Sequence, residues 1–114
     1  MIQTMLKMDF AVQNVDEALQ ILCSIIERTR AEIGCNDCSV YRDMQNDKRI
    51  VFEENWKNDE ALKRHLRSED FRKVLMVMEM AIIPPEVRFD TITESRGVET
   101  IEEARKFSTS AAQR

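Results

Sequence analysis

Two hydrophobic periodicities alternate along this chain, and their order limits it to few folds. Residues 2–12 repeat with period two: Ile2, Thr4, Leu6, Met8, Phe10 and Val12 share one face, and Gln3, Met5, Lys7, Asp9 and Ala11 the other. One apolar face at that period predicts a half-buried strand. Asn14, with Glu17 three residues on, reads as a helix cap. Val15, Ala18, Leu19, Leu22, Ile26 and Ile33 then recur at helical spacing, and Gly34 follows as a stop, so a helix is predicted over 15–33. Alternation returns at 38–45 and at 49–57, separated by the turn signal Asn46-Asp47-Lys48. That pattern predicts an antiparallel hairpin. Asn58 opens a second helical region, and Ser68 reads as a fresh cap before Phe71, Val74, Leu75, Met78 and Ile82. Pro84-Pro85 ends that helix, and a strand is predicted over 87–93. Thr100 with Glu103 then starts a short terminal helix with a frayed tail from Ser108.

Strand, helix, strand, strand, helix, strand is the order of a ferredoxin-like α+β domain, a split β-α-β with a four-stranded antiparallel sheet. At 114 residues the chain is one such domain, over 1–95, with a helical extension over 96–114. The pattern leaves open which sheet face carries the helices. The other face, with Met5, Ala11, Val51 and Ile92, needs cover, which a second copy of the chain would supply.

Composition removes several function classes. Seventeen Lys and Arg against 21 Asp and Glu give a net charge of −4, the opposite of a nucleic-acid footprint. The longest apolar run, Val74–Ile83, is interrupted by Glu79, far short of the roughly 18 residues a membrane span needs. The N-terminus lacks the pattern of a signal peptide, which predicts a cytoplasmic location. With Gly34 and Gly97 the only glycines, no GxGxxG or Walker A loop can be written. One histidine and three cysteines give no ready zinc set. No cofactor and no metal are therefore expected.

Three stretches together resemble the antibiotic biosynthesis monooxygenase-like family of dimeric α+β barrels. They are Glu32-Ile33-Gly34-Cys35, Glu54-Asn55-Trp56, and the run from Asn58-Asp59-Glu60-Ala61-Leu62 through His65-Leu66 and Ser68 to Phe71. The likeness spans about residues 2–95. It implies a homodimer through the sheet face and a pocket between sheet and helices. The family includes quinol oxygenases, cofactor-free aromatic oxygenases, an autoinducer-modifying enzyme and haem-degrading enzymes, so it implies the fold more narrowly than the reaction. Many members carry Tyr where this chain has Cys38. The haem-degrading pattern is absent, since Leu75 stands where its ligating histidine falls and His65 where its tryptophan falls.

His65 is the chemically pivotal residue. Ala61, Leu62, His65 and Leu66 form one helical stripe, and in relatives the matching residue points into the pocket. Near neutral pH an imidazole can take a proton from a phenol or enediol. The alternative is an exposed histidine among Lys63, Arg64 and Arg67. Phe52, Glu54 and Trp56 share a strand face, with Glu54 as a pocket acid and Trp56 as a stacking wall for a flat substrate. The alternative for Glu54 is a structural ion pair to Arg42 on the neighbouring strand. His65 and Glu54 are thus the candidate catalytic residues, and Trp56, Phe52, Cys38 and Arg42 the candidate substrate contacts. His65 is expected to face a pocket closed by Trp56 and Phe52, with Glu54 in reach of its ring. The pair Cys35/Cys38 follows a helix instead of starting one, so it lacks what lowers a redox thiol's pKa. Two readings stay open. One is a cofactor-independent monooxygenase acting on a small aromatic or quinol; the other is a non-catalytic dimeric module that binds a small ligand or a partner.

Overall fold

The computed structural model describes the backbone of residues 1–112 and the side chains of residues 1–106. Strand β1 (Ile2–Asp9) is followed by helix α1 (Val15–Arg30), strands β2 (Cys35–Asp43) and β3 (Asn46–Trp56), helices α2 (Asp59–Leu66) and α3 (Glu69–Met80), strand β4 (Glu86–Thr91) and helix α4 (Glu99–Ala112). The strands form one antiparallel sheet in the order β2-β3-β1-β4. This is the ferredoxin-like arrangement.

The face that was open in the sequence is decided by burial. Ile2, Thr4, Leu6, Met8 and Phe10 of the first strand region are buried, as are Ile50, Phe52, Glu54 and Trp56 of β3. They meet Ala18, Leu22 and Ile25 of α1 and Phe71, Val74 and Val77 of α3. The helices therefore cover the even-numbered face. Ile2, Trp56, Ala61 and Leu62 make a smaller apolar cluster at the end of β3.

Several boundaries differ from the periodicity, each for a local reason. β1 stops at Asp9, because the chain turns through a bond from Asn14 N–H to the Ala11 carbonyl; this leaves Val12 exposed. Asn14 makes no side-chain cap. The hairpin turns at Met44-Gln45, two residues early: Asp43 pairs with Asn46, and the Asp43 carboxylate accepts the Gln45 N–H at 2.8 Å. Asn58 and Ser68 do cap, accepting from the N–H groups of Ala61 and Phe71. α3 ends at Met80, where Ile82 N–H already bonds to the Asp9 carbonyl of β1. Ile82 consequently lies outside the buried stripe, and Leu75 faces outward because that stripe runs through Phe71, Val74 and Val77. α4 begins at Glu99, whose carboxylate accepts the Gly97 N–H at 2.7 Å, and continues past Ser108, where fraying was expected; residues 113–114 lie outside the described residues.

α1 also ends early, with Ala31 as its cap, and residues 31–34 form a turn in which Ile33 is exposed. Gly34 closes the turn at φ +89°, and a Cβ there would lie 2.5 Å from Ala61 Cβ. Its carbonyl accepts the Lys57 N–H at 2.7 Å, tying this turn to the start of α2. Gly34→Ala is expected to destabilise the protein beyond the roughly 1–2 kcal/mol of left-handed strain, because the methyl also collides with Ala61. Urea unfolding of Gly34→Ala, alone and with Ala61→Gly, checks this: the second change should return the collision part and leave the strain.

β4 is fully exposed, and α4 extends away from the sheet domain. The radius of gyration is 17.8 Å, against about 13 Å for a compact chain of this length. No helix among the described residues is long and apolar enough to cross a membrane.

Candidate functional site

β3 ends by delivering Phe52, Glu54 and Trp56 to the helix side, all without exposed surface. Only Lys57 and Asn58 separate it from α2, so α2 must fold back over the strand end, and its inward stripe puts His65 above Glu54. Here His65 Nε2 lies 2.6 Å from Glu54 Oε2, and Nδ1 lies 2.7 Å from Glu32 Oε2. The Glu54 contact is a close ion pair bent away from ideal hydrogen-bond alignment; the Glu32 contact is aligned. Trp56 Nε1 donates to the other oxygen of Glu54 at 3.3 Å. The Trp56 ring stacks on the imidazole with centroids 4.6 Å apart, and Phe71 meets it edge-on at 5.4 Å.

The single histidine is thus fully buried, gripped at both nitrogens by carboxylates and held between two aromatic rings. Burial by itself disfavours the imidazolium. The hydrogen bond and charge of Glu54, followed by those of Glu32, outweigh it and raise the His65 pKa above its ordinary value. The two carboxylates therefore favour the charged form of the ring over that of a free imidazole. A group whose folded pKa is raised stabilises the fold fully below its unfolded value near 6.5, and that contribution disappears as pH rises through the folded pKa. The unfolding free energy, and with it the urea midpoint, should accordingly fall from about pH 6.5 upward, the free energy by at most about 1.4 kcal/mol per pH unit. A flat midpoint between pH 6 and 9 would contradict the assignment.

Glu54 stands in register with Thr4 on β1 and Cys38 on β2. The Thr4 hydroxyl is buried without a protein partner. Burial, then the Glu54 charge, pushes the Cys38 thiol up, and the same causes push Cys35 to about 11. All three cysteines are free, and both members of the Cys35/Cys38 pair stay protonated thiols at neutral pH, as the lack of a helix N-terminus predicts.

Of the sequence candidates, His65, Glu54 and Trp56 are in mutual contact. Phe52 and Cys38 lie in the main core beside them. Arg42 is not brought to this cluster: it stands opposite Ile50, and its guanidinium meets Asp16 of α1 at 3.3 Å near the surface. Glu54 therefore pairs with His65 instead of Arg42. Glu32 and Phe71 complete the cluster and were singled out only as parts of motifs. One signal for Glu32 was available: an acid just past a helix C-terminus, after the basic Arg28 and Arg30, opposes the helix dipole and calls for a cationic partner.

The ring has no exposed surface, and Trp56, Phe71 and the two carboxylates fill the space around it. An open concavity of about 420 Å³ lies on the opposite sheet face, lined by Met5, Lys7, Val51, Glu53, Arg88 and Asp90. Tyr41 is exposed on that face too. Among the described residues no cluster of His, Cys, Asp and Glu has the arrangement of a metal site.

Residues 1–75 match the family model for antibiotic biosynthesis monooxygenase. The chain belongs to this family. Solved structures carry the same fold. A conserved protein of Methanosarcina mazei is 28% identical, with a TM-score of 0.73 over 78% of this chain and 89% of its own. A Mycobacterium tuberculosis protein is 20% identical, with a TM-score of 0.76 over 84% of this chain and 98% of its own. A protein solved as an antibiotic biosynthesis monooxygenase is 22% identical, with a TM-score of 0.74 over 82% of this chain and its whole length. No curated protein matches the chain. Family membership makes monooxygenase chemistry the first reaction class to set against the cluster.

Proposed function

We propose that this family member is a cofactor-independent monooxygenase for a small aromatic or quinol-type substrate. The observation that carries the reading is the sole histidine, paired with two carboxylates and stacked on Trp56. Glu54 is the proton acceptor, a buried carboxylate whose Oε2 lies 2.6 Å from His65 Nε2. The imidazolium and the indole N–H hold the negative charge of Glu54 in place. A substrate ring lies against Trp56 and gives its hydroxyl proton to Glu54. The electron-rich anion then reduces O₂. One oxygen atom enters the substrate as a carbonyl, and the other leaves as water, taking the proton held on Glu54 and the second hydrogen that the oxidised substrate carbon gives up. The substrate supplies the electrons for this balance. Entry requires Trp56 or α2 to move aside.

The filled cluster favours a second reading, a binding module of the same fold without turnover. Oxygen uptake with a panel of quinols and phenols separates the two. Uptake matched by a product carrying one added oxygen supports the enzyme; ligand binding without uptake supports the module.

The uncovered sheet face, with Met5, Tyr41 and Val51, is the surface through which we expect the family's homodimer to form. Sedimentation should give a dimer at micromolar concentration; a stable monomer would overturn the assembly and leave the fold intact.

A further inference from the structure

We propose that Glu32 is the positioning residue of this site: it holds His65 through Nδ1 so that Nε2–H stays on Glu54. The inference rests on the reading of His65 and Glu54 given above. Three features of the chain converge on it. Glu32 lies in the turn after α1, a place where the helix dipole disfavours an anion and no turn geometry requires one. That turn is fastened to α2 by the close approach of Gly34 to Ala61 and by the bond from Lys57 N–H to the Gly34 carbonyl. The consequence is a 2.7 Å contact from Glu32 Oε2 to the far nitrogen of the buried ring.

The two carboxylates differ in a way that fits two roles. Glu54 has no exposed surface and is held by Trp56 as well as by His65. Glu32 keeps 27% of its side chain exposed, and the imidazole stands between it and Glu54. Glu32 therefore acts through the ring. Without it the imidazole would lose one of the two anchors that fix its plane, and Nδ1 would be a buried donor with no acceptor. The logic is that of a carboxylate orienting a histidine by one nitrogen while the other works.

The charged groups facing His65 are Glu32 from the α1–β2 turn, Glu54 from β3 and Asp70 from α3, while Cys38 of β2 stands opposite Glu54 and, like Cys35, is a protonated thiol. Asp70 is already held by the Arg28 guanidinium, at 2.8 Å. Glu32 is thus the group whose removal most simply reports on the ring's second anchor.

Because His65 is the only histidine, its ring nitrogens give unambiguous NMR signals, and the test does not depend on turnover. The probes are Glu32→Gln, which keeps an acceptor oxygen and removes the charge, and Glu32→Ala, which removes both. In the wild type both ring nitrogens should be mostly protonated at pH 6.5, where a free imidazole is half protonated. In Glu32→Gln the ring should titrate about one to three units lower, the range expected for loss of an adjacent opposite charge. In Glu32→Ala the Nδ1 proton should lose its hydrogen-bonded shift and exchange faster with water. In oxygen uptake, the alkaline limb of the Glu32→Gln profile should move down by the same amount as the NMR titration. Unchanged ring signals in both variants would overturn the positioning role while leaving the function open. Shifted ring signals with no oxygen uptake in the wild type would instead overturn the enzymatic reading and keep the clamp.

Discussion

Replacing Glu54 with leucine should destabilise the protein by about 3–5 kcal/mol, the usual result of removing one partner from a buried ion pair. Glu54 has no exposed surface, and its two oxygens meet the His65 ring at 2.6 Å and the Trp56 N–H at 3.3 Å. Leucine fills much of the space. It leaves a buried imidazole facing hydrocarbon on one side and an indole N–H without an acceptor. The ring can shed its proton, so part of the loss should depend on pH. The double change Glu54→Leu with His65→Leu should recover a large part of the stability, because no charge then needs a partner in the core. Urea unfolding of the two single variants and the double variant measures this coupling. Additive losses would mean that the pair does not interact in solution.

His65→Gln should lower turnover strongly, because proton transfer to Glu54 depends on the ring that positions it. Glutamine keeps a polar side chain of similar reach but cannot carry the positive charge that holds Glu54. Positioned proton transfer contributes about 10²–10⁴-fold to a rate, and oxygen uptake should fall by that order. Stability should fall as well, since Glu54 is left as a buried carboxylate with no cation beside it, the amide offering it only a neutral donor. A folded His65→Gln variant with undiminished oxygen uptake would remove the imidazole from the chemistry.

The sequence made the strand end legible because two simple rules apply there together. Alternation along β3 puts Phe52, Glu54 and Trp56 on one face, and the two-residue link to α2 forces that helix back over them. The caps at Asn58 and Ser68 place His65 correctly on the helix face, and both caps form. Turns were less legible. The Asn46-Asp47-Lys48 signal is real as side-chain chemistry, since Asn46 accepts the Lys48 N–H at 3.2 Å. The Asp43 carboxylate nevertheless captures the chain two residues earlier. The end of α1 hid Glu32 for a related reason. Apolar spacing carried the predicted helix on to Ile33, whereas the helix stops at Arg30 and the next four residues aim Glu32 inward. Periodicity reports which side of an element is apolar. It does not report where a loop brings a charge. The placement of Arg42 illustrates the same limit: it shares the helix-facing side of β2, but a carboxylate on α1 lies nearer to it than Glu54 does.

In the proposed function, Glu54, Trp56 and His65 form one ligand-receiving unit. Trp56 is the only tryptophan and stacks on the imidazole, so its fluorescence reports on this unit alone. Titration with a quinol or phenol that supports oxygen uptake should change the Trp56 emission saturably, with a midpoint that tracks the KM. A compound that is turned over while Trp56 emission stays constant would place the chemistry elsewhere in the molecule and contradict the account.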